Sequence, residues 1–252
     1  DSIVLSHGHW DHSGAMFTAL GAIRARNGKR KVPYYAHPGM FRSRAMRLPD
    51  GGLRYMDDVP SIADLTAQGA DVIATAEPRV FLDDMFYVSG EIPRVTSFER
   101  GLPGQVCKAD DGNWVPDELL MDERWLGVHV KGKGLVVLSA CSHAGIVNVL
   151  ADARASFTGT PLHAAMGGLH LSGVNEAIIP QTVAALGEFG LAQIAAGHGR
   201  LSEMVPVMYA AVDPRLHPAA SQSVLAHLIG LVRTGVVTTD EEPGLKSEFR
   251  LA

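Results

Sequence analysis

The chain has 252 residues, 46% of them hydrophobic and 19% charged, which is enough to bury a large core and too apolar for a disordered segment. Its formal net charge of −5, with acids and bases interleaved, argues against a nucleic-acid partner, which needs a basic face. Two cysteines make no disulfide framework, and no apolar run reaches the roughly 18 residues of a membrane span.

The chain opens on DSIVLS, which reads as a strand already in progress, with neither an initiator Met nor a signal-peptide pattern. An N-terminal segment is therefore expected upstream. Cytoplasm is the favoured compartment, but the missing start leaves it open. HGHWDH follows at residues 7–12, and a helix is expected from about Asp11–Ser13 through AMFTALGAIRARNG, where Gly28 stops it. VPYYAHP (32–38) is the next strand, so the chain begins as strand, motif, helix, strand, the pattern of an α/β protein. Residues 40–127 are rich in Pro, Gly, Asp and Arg with short apolar runs, and read as an inserted cap of hairpins and loops on the substrate side. GLVVLSAC (134–141) is an apolar strand, SHAGIVNVLADARASF a turn into a helix, and PLHAAMGGLHL (161–171) another strand and turn. IPQTVAALGEFG is a helix, LAQIAAGHG a strand ending at a loop, SEMVPVMYAAV a helix, and DEEPGLKSEFRLA a polar tail or edge segment. No internal repeat is present, and one domain is expected over 1–252.

HGHWDH is where the chemistry concentrates. His7 and His9 are two apart, so an extended backbone projects both to one side. Asp11 and His12 follow at the turn into the helix, and Gly8 permits an unusual backbone between the first two histidines. One segment can thus offer two imidazoles to one ion, and an oxygen and a nitrogen to a second. Zinc suits this donor set best, with iron or manganese as alternatives. The competing reading, a solvated histidine-rich turn, sits poorly with three histidines and an acid in six residues.

HGHWDH resembles the HxHxDH signature of the metallo-β-lactamase superfamily. SGEIPRVTSFE (89–99), LSACSHAGIVN (138–148), MGGLHL (166–171) and the late His198 resemble one branch of it, typified by the methanogen dihydropterin-aminobenzene-phosphate synthase. The resemblance implies a four-layer αββα sandwich whose first strands are missing here. An isolated chain would then expose apolar sheet and need its N-terminal segment or a partner chain. It also implies one metal on His7, His9 and His143 and a second on Asp11, His12 and His198. The residues agree with this, since His143 and His198 each follow an apolar strand at a glycine-containing turn, where α/β proteins place their sites.

One departure concerns the aspartate that bridges both metals in most of the superfamily. Between His143 and His198 the acids are Asp152, Glu176 and Glu188, all in or beside helical stretches. His170 takes the strand-end position instead and is read as a metal ligand or active-site proton donor, so a one-metal enzyme stays open. Cys141, two residues before His143, either packs beneath the metal or approaches it as a soft ligand. His37, His129, His163, His217 and His227 read as ordinary surface or core histidines, although His37, in the turn after a strand, could face the cleft.

Zinc lowers the pKa of bound water from about 15.7 to roughly 7, which makes metal-bound hydroxide available at neutral pH. The expected activity is therefore zinc-dependent hydrolysis of a small, anionic ester or phosphoester. Asp11 would orient the attacking hydroxide and His170 would steady the leaving group. Arg94, then Arg42 and Arg200, with Arg44 and Arg47 beside them, are the guanidinium candidates for the substrate anion. The alternatives are a pterin-related synthase forming a C–C bond, a di-iron redox protein, and a non-catalytic metal-binding module. His9 stands where the redox branch has glutamate, and the intact ligand set argues against decay. The partner expected is a small molecule, with no nucleic acid and no membrane, and the sequence assigns no oligomeric state.

Overall fold

The computed structural model describes residues 1–187, 199–208, 214, 217–233, 235 and 237–252. The backbone forms two compact units, Asp1–His170 and Leu171–Ala252.

In the first unit, β1 (Ile3–Val4) runs parallel to β2 (Val32–Ala36), and β2 parallel to β5 (Ala70–Ala74). Parallel neighbours need a crossover, and α1 (Met16–Arg26) supplies the first. Its Met16 and Leu20 are buried with Leu5, Val32, Tyr34, Ala36 and Leu65. The helix begins later than expected, because Trp10–His12 first make one 3₁₀ turn. Asp11 and His12 therefore belong to a separate, tighter turn. Helix α2 (Ile62–Ala67) starts at Ser61, whose hydroxyl accepts the N–H of Asp64, and leads into β5.

The second sheet runs from edge to edge through Leu162–Gly167, Gly134–Ser139, Leu126–Val130, Phe86–Val88 and Arg79–Phe81. Strands β6 (Arg79–Phe81), β7 (Phe86–Val88), β10 (Leu126–Val130) and β11 (Gly134–Ser139) form an antiparallel array. Strand β12 (Leu162–Gly167) joins parallel to β11 by way of α3 (Ile146–Ser156). The insertion expected over 40–127 is accordingly narrower. β5, β6 and β7 fall inside that range yet lie in the two sheets just described. Only β3 (Arg44–Arg47), β4 (Leu53–Tyr55), β8 (Gln105–Lys108) and β9 (Trp114–Pro116) form a sheet of their own, ordered β4-β3-β8-β9. Strands of three to five residues carry too little alternation to show which sheet will take them.

Two of the sequence motifs turn out to be halves of one brace. The Glu99 carboxylate accepts the N–H groups of Val147 (2.9 Å) and Asn148 (2.8 Å) at the start of α3. In return the Asn148 side-chain oxygen accepts the N–H groups of Val95 and Thr96, both at 2.9 Å. A carboxylate suits the positive end of a helix dipole. Burial pushes Glu99 above the usual carboxylate range, and those same N–H donors pull it back. Gly145, at φ 91°, is needed here, since a Cβ would lie 2.1 Å from the Glu99 carboxyl carbon.

In the second unit, α4 (Ile179–Gly187) and helices over Leu201–Met208 and His217–Arg233 surround a core containing Val183, Leu201, Met204, Val205, Val224, Leu228, Val237 and Phe249. The polar tail expected over 240–252 contributes to it. Ser247 and Phe249 are buried while Glu248 and Arg250 face out, and β14 (Arg250–Leu251) pairs with β13 (Val237–Thr238). That alternation is four residues long and charged on its outer side, which is why it reads as a tail. Among the described residues no helix is long and apolar enough to cross a membrane.

Candidate metal centre

After β1 the chain buries His7 and His9 and then exposes the turn that holds Asp11. The rings of His7, His9 and His143 converge, with centroids 4.7 Å (His7–His9), 4.9 Å (His7–His143) and 4.7 Å (His9–His143) apart. His12 lies 4.4 Å from His7, and His170 lies 4.2 Å from His143. The Asp11 carboxylate is 3.7 Å from His12 Nε2.

Each part of this cluster is held by buried polar groups. The Gly8 N–H donates to Asp122 (3.0 Å) and its carbonyl accepts from Arg44 (3.1 Å). A Cβ at Gly8 would lie 2.6 Å from the Met40 carbonyl oxygen, main chain that cannot swing aside, so glycine is required between the two histidines. Arg44 is itself buried, paired with Asp117 at 2.8 Å and Asp122 at 2.9 Å. Gln105 donates its amide NH₂ to the Asp117 carboxylate (3.0 Å), which leaves its oxygen to accept from His9 Nε2 at 2.8 Å. This network assigns the proton of His9 to Nε2 and its lone pair to Nδ1. His7 Nδ1 is 3.0 Å from the Ser6 hydroxyl, leaving Nε2 to face the cluster.

His143 is aimed by the turn after β11. Ser142 adopts φ 56°, and its hydroxyl donates to the Gly168 carbonyl at 2.6 Å. The Glu123 carboxylate accepts the N–H of His143 (2.9 Å) and that of Ala144. Burial raises Glu123 to about 7 against the pull of those two donors. In MGGLH, a Cβ on Gly167 (φ 136°) would fall 1.6 Å from the Ser139 carbonyl, so only glycine lets β12 approach closely enough to bring His170 to His143.

The cluster is electrostatically prepared to offer lone pairs. Burial, reinforced by the neighbouring histidines, holds His7 well below the ordinary imidazole range and His143 at about 2. Burial also lowers His9 and His170. His7 Nε2 and both ring nitrogens of His143 are buried without a hydrogen-bond partner among the described residues. Buried polar atoms are seldom left so, and neutral, unpartnered imidazole nitrogens are what a divalent cation requires. The donor atoms of His7, Cys141 and His143 lie within 4.8 Å of one another, and burial pushes the Cys141 thiol up to about 11.

Not every sequence candidate joins this cluster. His198 and Glu188 lie outside the described residues. Asp152 sits in α3 and accepts from the Trp125 indole at 2.8 Å, while Glu176 accepts the Gly173 N–H at 3.1 Å. His37 caps its own turn through Gly39 and faces Glu91 at 3.3 Å. The guanidinium of Arg94 donates to the carbonyls of Ile92, Leu119 and Leu120, so it ties main chain together where a substrate anion was expected. Arg200 is paired with Glu248 in the second unit. Arg42, exposed and beside Cys107, remains as a surface cation. Asp122, Glu123 and Gln105 were missed. In DERW (122–125) three consecutive charged residues are all buried, whereas such a run in sequence reads as solvated surface.

Gln105→Leu is expected to weaken metal binding about 10–100-fold, the range for losing the group that orients a ligand histidine. Titration calorimetry with zinc measures this, and an unchanged affinity would remove Gln105 from the centre.

A solved structure described as a metal-dependent hydrolase of the β-lactamase superfamily superposes with a TM-score of 0.59 at 21% identity, over 74% of this chain and 64% of that one. The chain has the metallo-β-lactamase fold. In sequence it is 29% identical over 200 residues to 7,8-dihydropterin-6-methyl-4-(β-D-ribofuranosyl)-aminobenzene-5′-phosphate synthase of Methanocaldococcus jannaschii, covering 79% of this chain and 65% of the synthase. A second protein of that organism, uncharacterised, is 31% identical over 176 residues, or 70% of this chain and 60% of the relative. The chain thus spans somewhat under two thirds of the length of the curated relatives it matches. The branch resemblance seen in the histidine motifs agrees with these relatives. Residues 201–245 match the family model of a β-lactamase-associated winged-helix domain, which lies inside the second unit of this metallo-β-lactamase-fold chain.

Proposed function

We propose that this metallo-β-lactamase-fold chain is a metal-dependent hydrolase, with zinc as the ion, acting on a small ester or phosphoester. The observation that carries the reading is the set of buried, unpartnered nitrogens on His7 and His143, converging with His9. Nδ1 of His9, whose ring lies 4.7 Å from those of His7 and His143, would be the third nitrogen, although its donor atom falls outside the tighter group made by His7, Cys141 and His143. Asp11 and His12, on the adjoining turn, are the donors proposed for a second ion. Zinc in such a centre supplies Lewis-acid polarisation and lowers the pKa of water toward neutrality.

The side chains divide the remaining work. Asp11, the exposed acid of the cluster, orients the attacking water and takes up its proton. His170, held against His143 by the Gly167–Gly168 approach, is the ring proposed to steady the leaving group. With Arg94 and Arg200 engaged elsewhere, an anionic substrate group would have to rely on Arg42 and on the centre's own cation. Phosphoesters with a single compact anion therefore fit better than extended polyanions.

The test is turnover of chromogenic phosphoesters, carboxylic esters and lactones by zinc-loaded protein. Phosphoester or ester hydrolysis that disappears on chelation and returns with zinc is the expected result. Complete inactivity across the panel with metal fully bound would overturn the hydrolase reading. The second reading, a synthase acting on a pterin, is favoured by the 29% identity to the methanogen enzyme. It predicts product formation from a dihydropterin and a ribosylated aminobenzene phosphate under those same conditions.

A further inference from the structure

We propose that Cys141 is a ligand of the ion held by His7 and His143, entering as the thiolate. This rests on the metal reading above and extends it to a sulfur donor that the histidine pattern does not include. Cys141 is the residue after Ala140 at the end of β11, and the left-handed turn at Ser142 places its side chain and that of His143 on the same cluster. Among the described residues, the donor atoms of His7, Cys141 and His143 form the one group of three lying within 4.8 Å of one another. Tetrahedral zinc, with Zn–N about 2.0–2.1 Å and Zn–S about 2.3 Å, sets its donors roughly 3.3–3.6 Å apart. The observed spacing of up to 4.8 Å therefore exceeds the coordinated one by at most about 1.5 Å.

The nitrogens in this group are independently marked as ligand atoms. His7 is 0% and His143 4% exposed, and the atoms that face the group have no hydrogen-bond partner among the described residues. Cys107, the other cysteine, is buried in β8 beside Arg42 and belongs to no such group. When the ion binds, the Cys141 S–H bond breaks heterolytically. The proton leaves to solvent and the sulfur electron pair forms the bond to the metal, so no oxidant or reductant takes part. A soft thiolate beside imidazoles selects zinc or cobalt over manganese or magnesium, which prefer oxygen donors.

The experiment is the absorption spectrum of the cobalt-substituted protein. The wild type should show a near-ultraviolet thiolate-to-cobalt band. Cys141→Ser should retain cobalt and lose the band, and Cys107→Ser should keep both. If Cys141→Ser fails to fold, X-ray absorption of the zinc-loaded wild type gives the same answer, with one sulfur at about 2.3 Å expected. Cobalt bound with no such band, or zinc surrounded by nitrogen and oxygen alone, would overturn the thiolate assignment and leave the histidine centre standing. A wild type that binds neither metal would overturn the metal reading itself.

Discussion

His143→Ala is expected to abolish metal retention while leaving the metal-free protein about as stable as the parent. Both nitrogens of the ring are buried and unpartnered, and each such group costs about 1–3 kcal/mol in the metal-free state. Removing the ring relieves that cost and opens a cavity, for which about 3–5 kcal/mol is typical of a truncated aromatic. The two effects offset each other to within about 3 kcal/mol. Metal affinity has no such offset. Losing a group that only orients a ligand costs about 10–100-fold, so losing the ligand should exceed 100-fold. The measurement is thermal unfolding with and without zinc. Zinc at a hundred times its dissociation constant adds about 2.7 kcal/mol to the parent. In a chain of this size that is a rise of roughly 5–10 °C in Tm. The variant should show no rise. An equal zinc-dependent rise in His143→Ala would remove His143 from the centre.

Asp122→Ala is expected to destabilise the protein by about 3–5 kcal/mol, the cost of leaving a buried charge without its partner. The Asp122 side chain is 2% and that of Arg44 3% exposed, and their 2.9 Å pair is shielded from solvent and salt. Arg44 would keep Asp117 alone, and the Gly8 N–H would lose its acceptor. A fall in Tm on the order of 10 °C follows. Because Gly8 is the hinge between His7 and His9, zinc affinity should drop with it. Asp122→Asn, which still accepts from Gly8, should recover part of the affinity while remaining less stable than the parent. A loss below about 1 kcal/mol in Asp122→Ala would mean that Asp117 alone neutralises Arg44.

These two variants separate what the cluster does from what holds it. On the proposed reading His143 serves metal binding at the expense of the metal-free fold, whereas Asp122 stabilises the fold and would act on an ion only through the backbone of Gly8. Glu123 works as Asp122 does, on the other side of the centre, through the N–H groups of His143 and Ala144. The consecutive buried residues Asp122 and Glu123 therefore brace both histidine segments from one stretch of chain.

That the histidines of HGHWDH and CSHAGIVN would share one cluster was legible, because side chains two residues apart on extended backbone share a side, and a strand end followed by glycine is where α/β folds place side chains for chemistry. The strands β2, β11 and β12 and the helices α1 and α3 were legible too, since each carries a long apolar run or a clear stop. What buries Asp122, Glu123, Arg44 and Gln105 was not, because burial of a charge is decided by partners that lie up to 114 residues away in sequence, as Asp122 does from Gly8. The same holds for Arg94. Its position in EIPR suggested an anion site or a tie between insertion and core, and only the carbonyls that the fold gathers around its two terminal nitrogens decide for the tie.

The sequence by itself determined which atoms could bind a metal and which segments would carry them, since both follow from residue type and local spacing. Tertiary structure alone decided which of those atoms are left without a partner, which arginines are spent on the main chain, and that Cys141 shares a cluster with His7. Those facts depend on desolvation and on contacts between distant segments, and neither is written in the order of neighbouring residues.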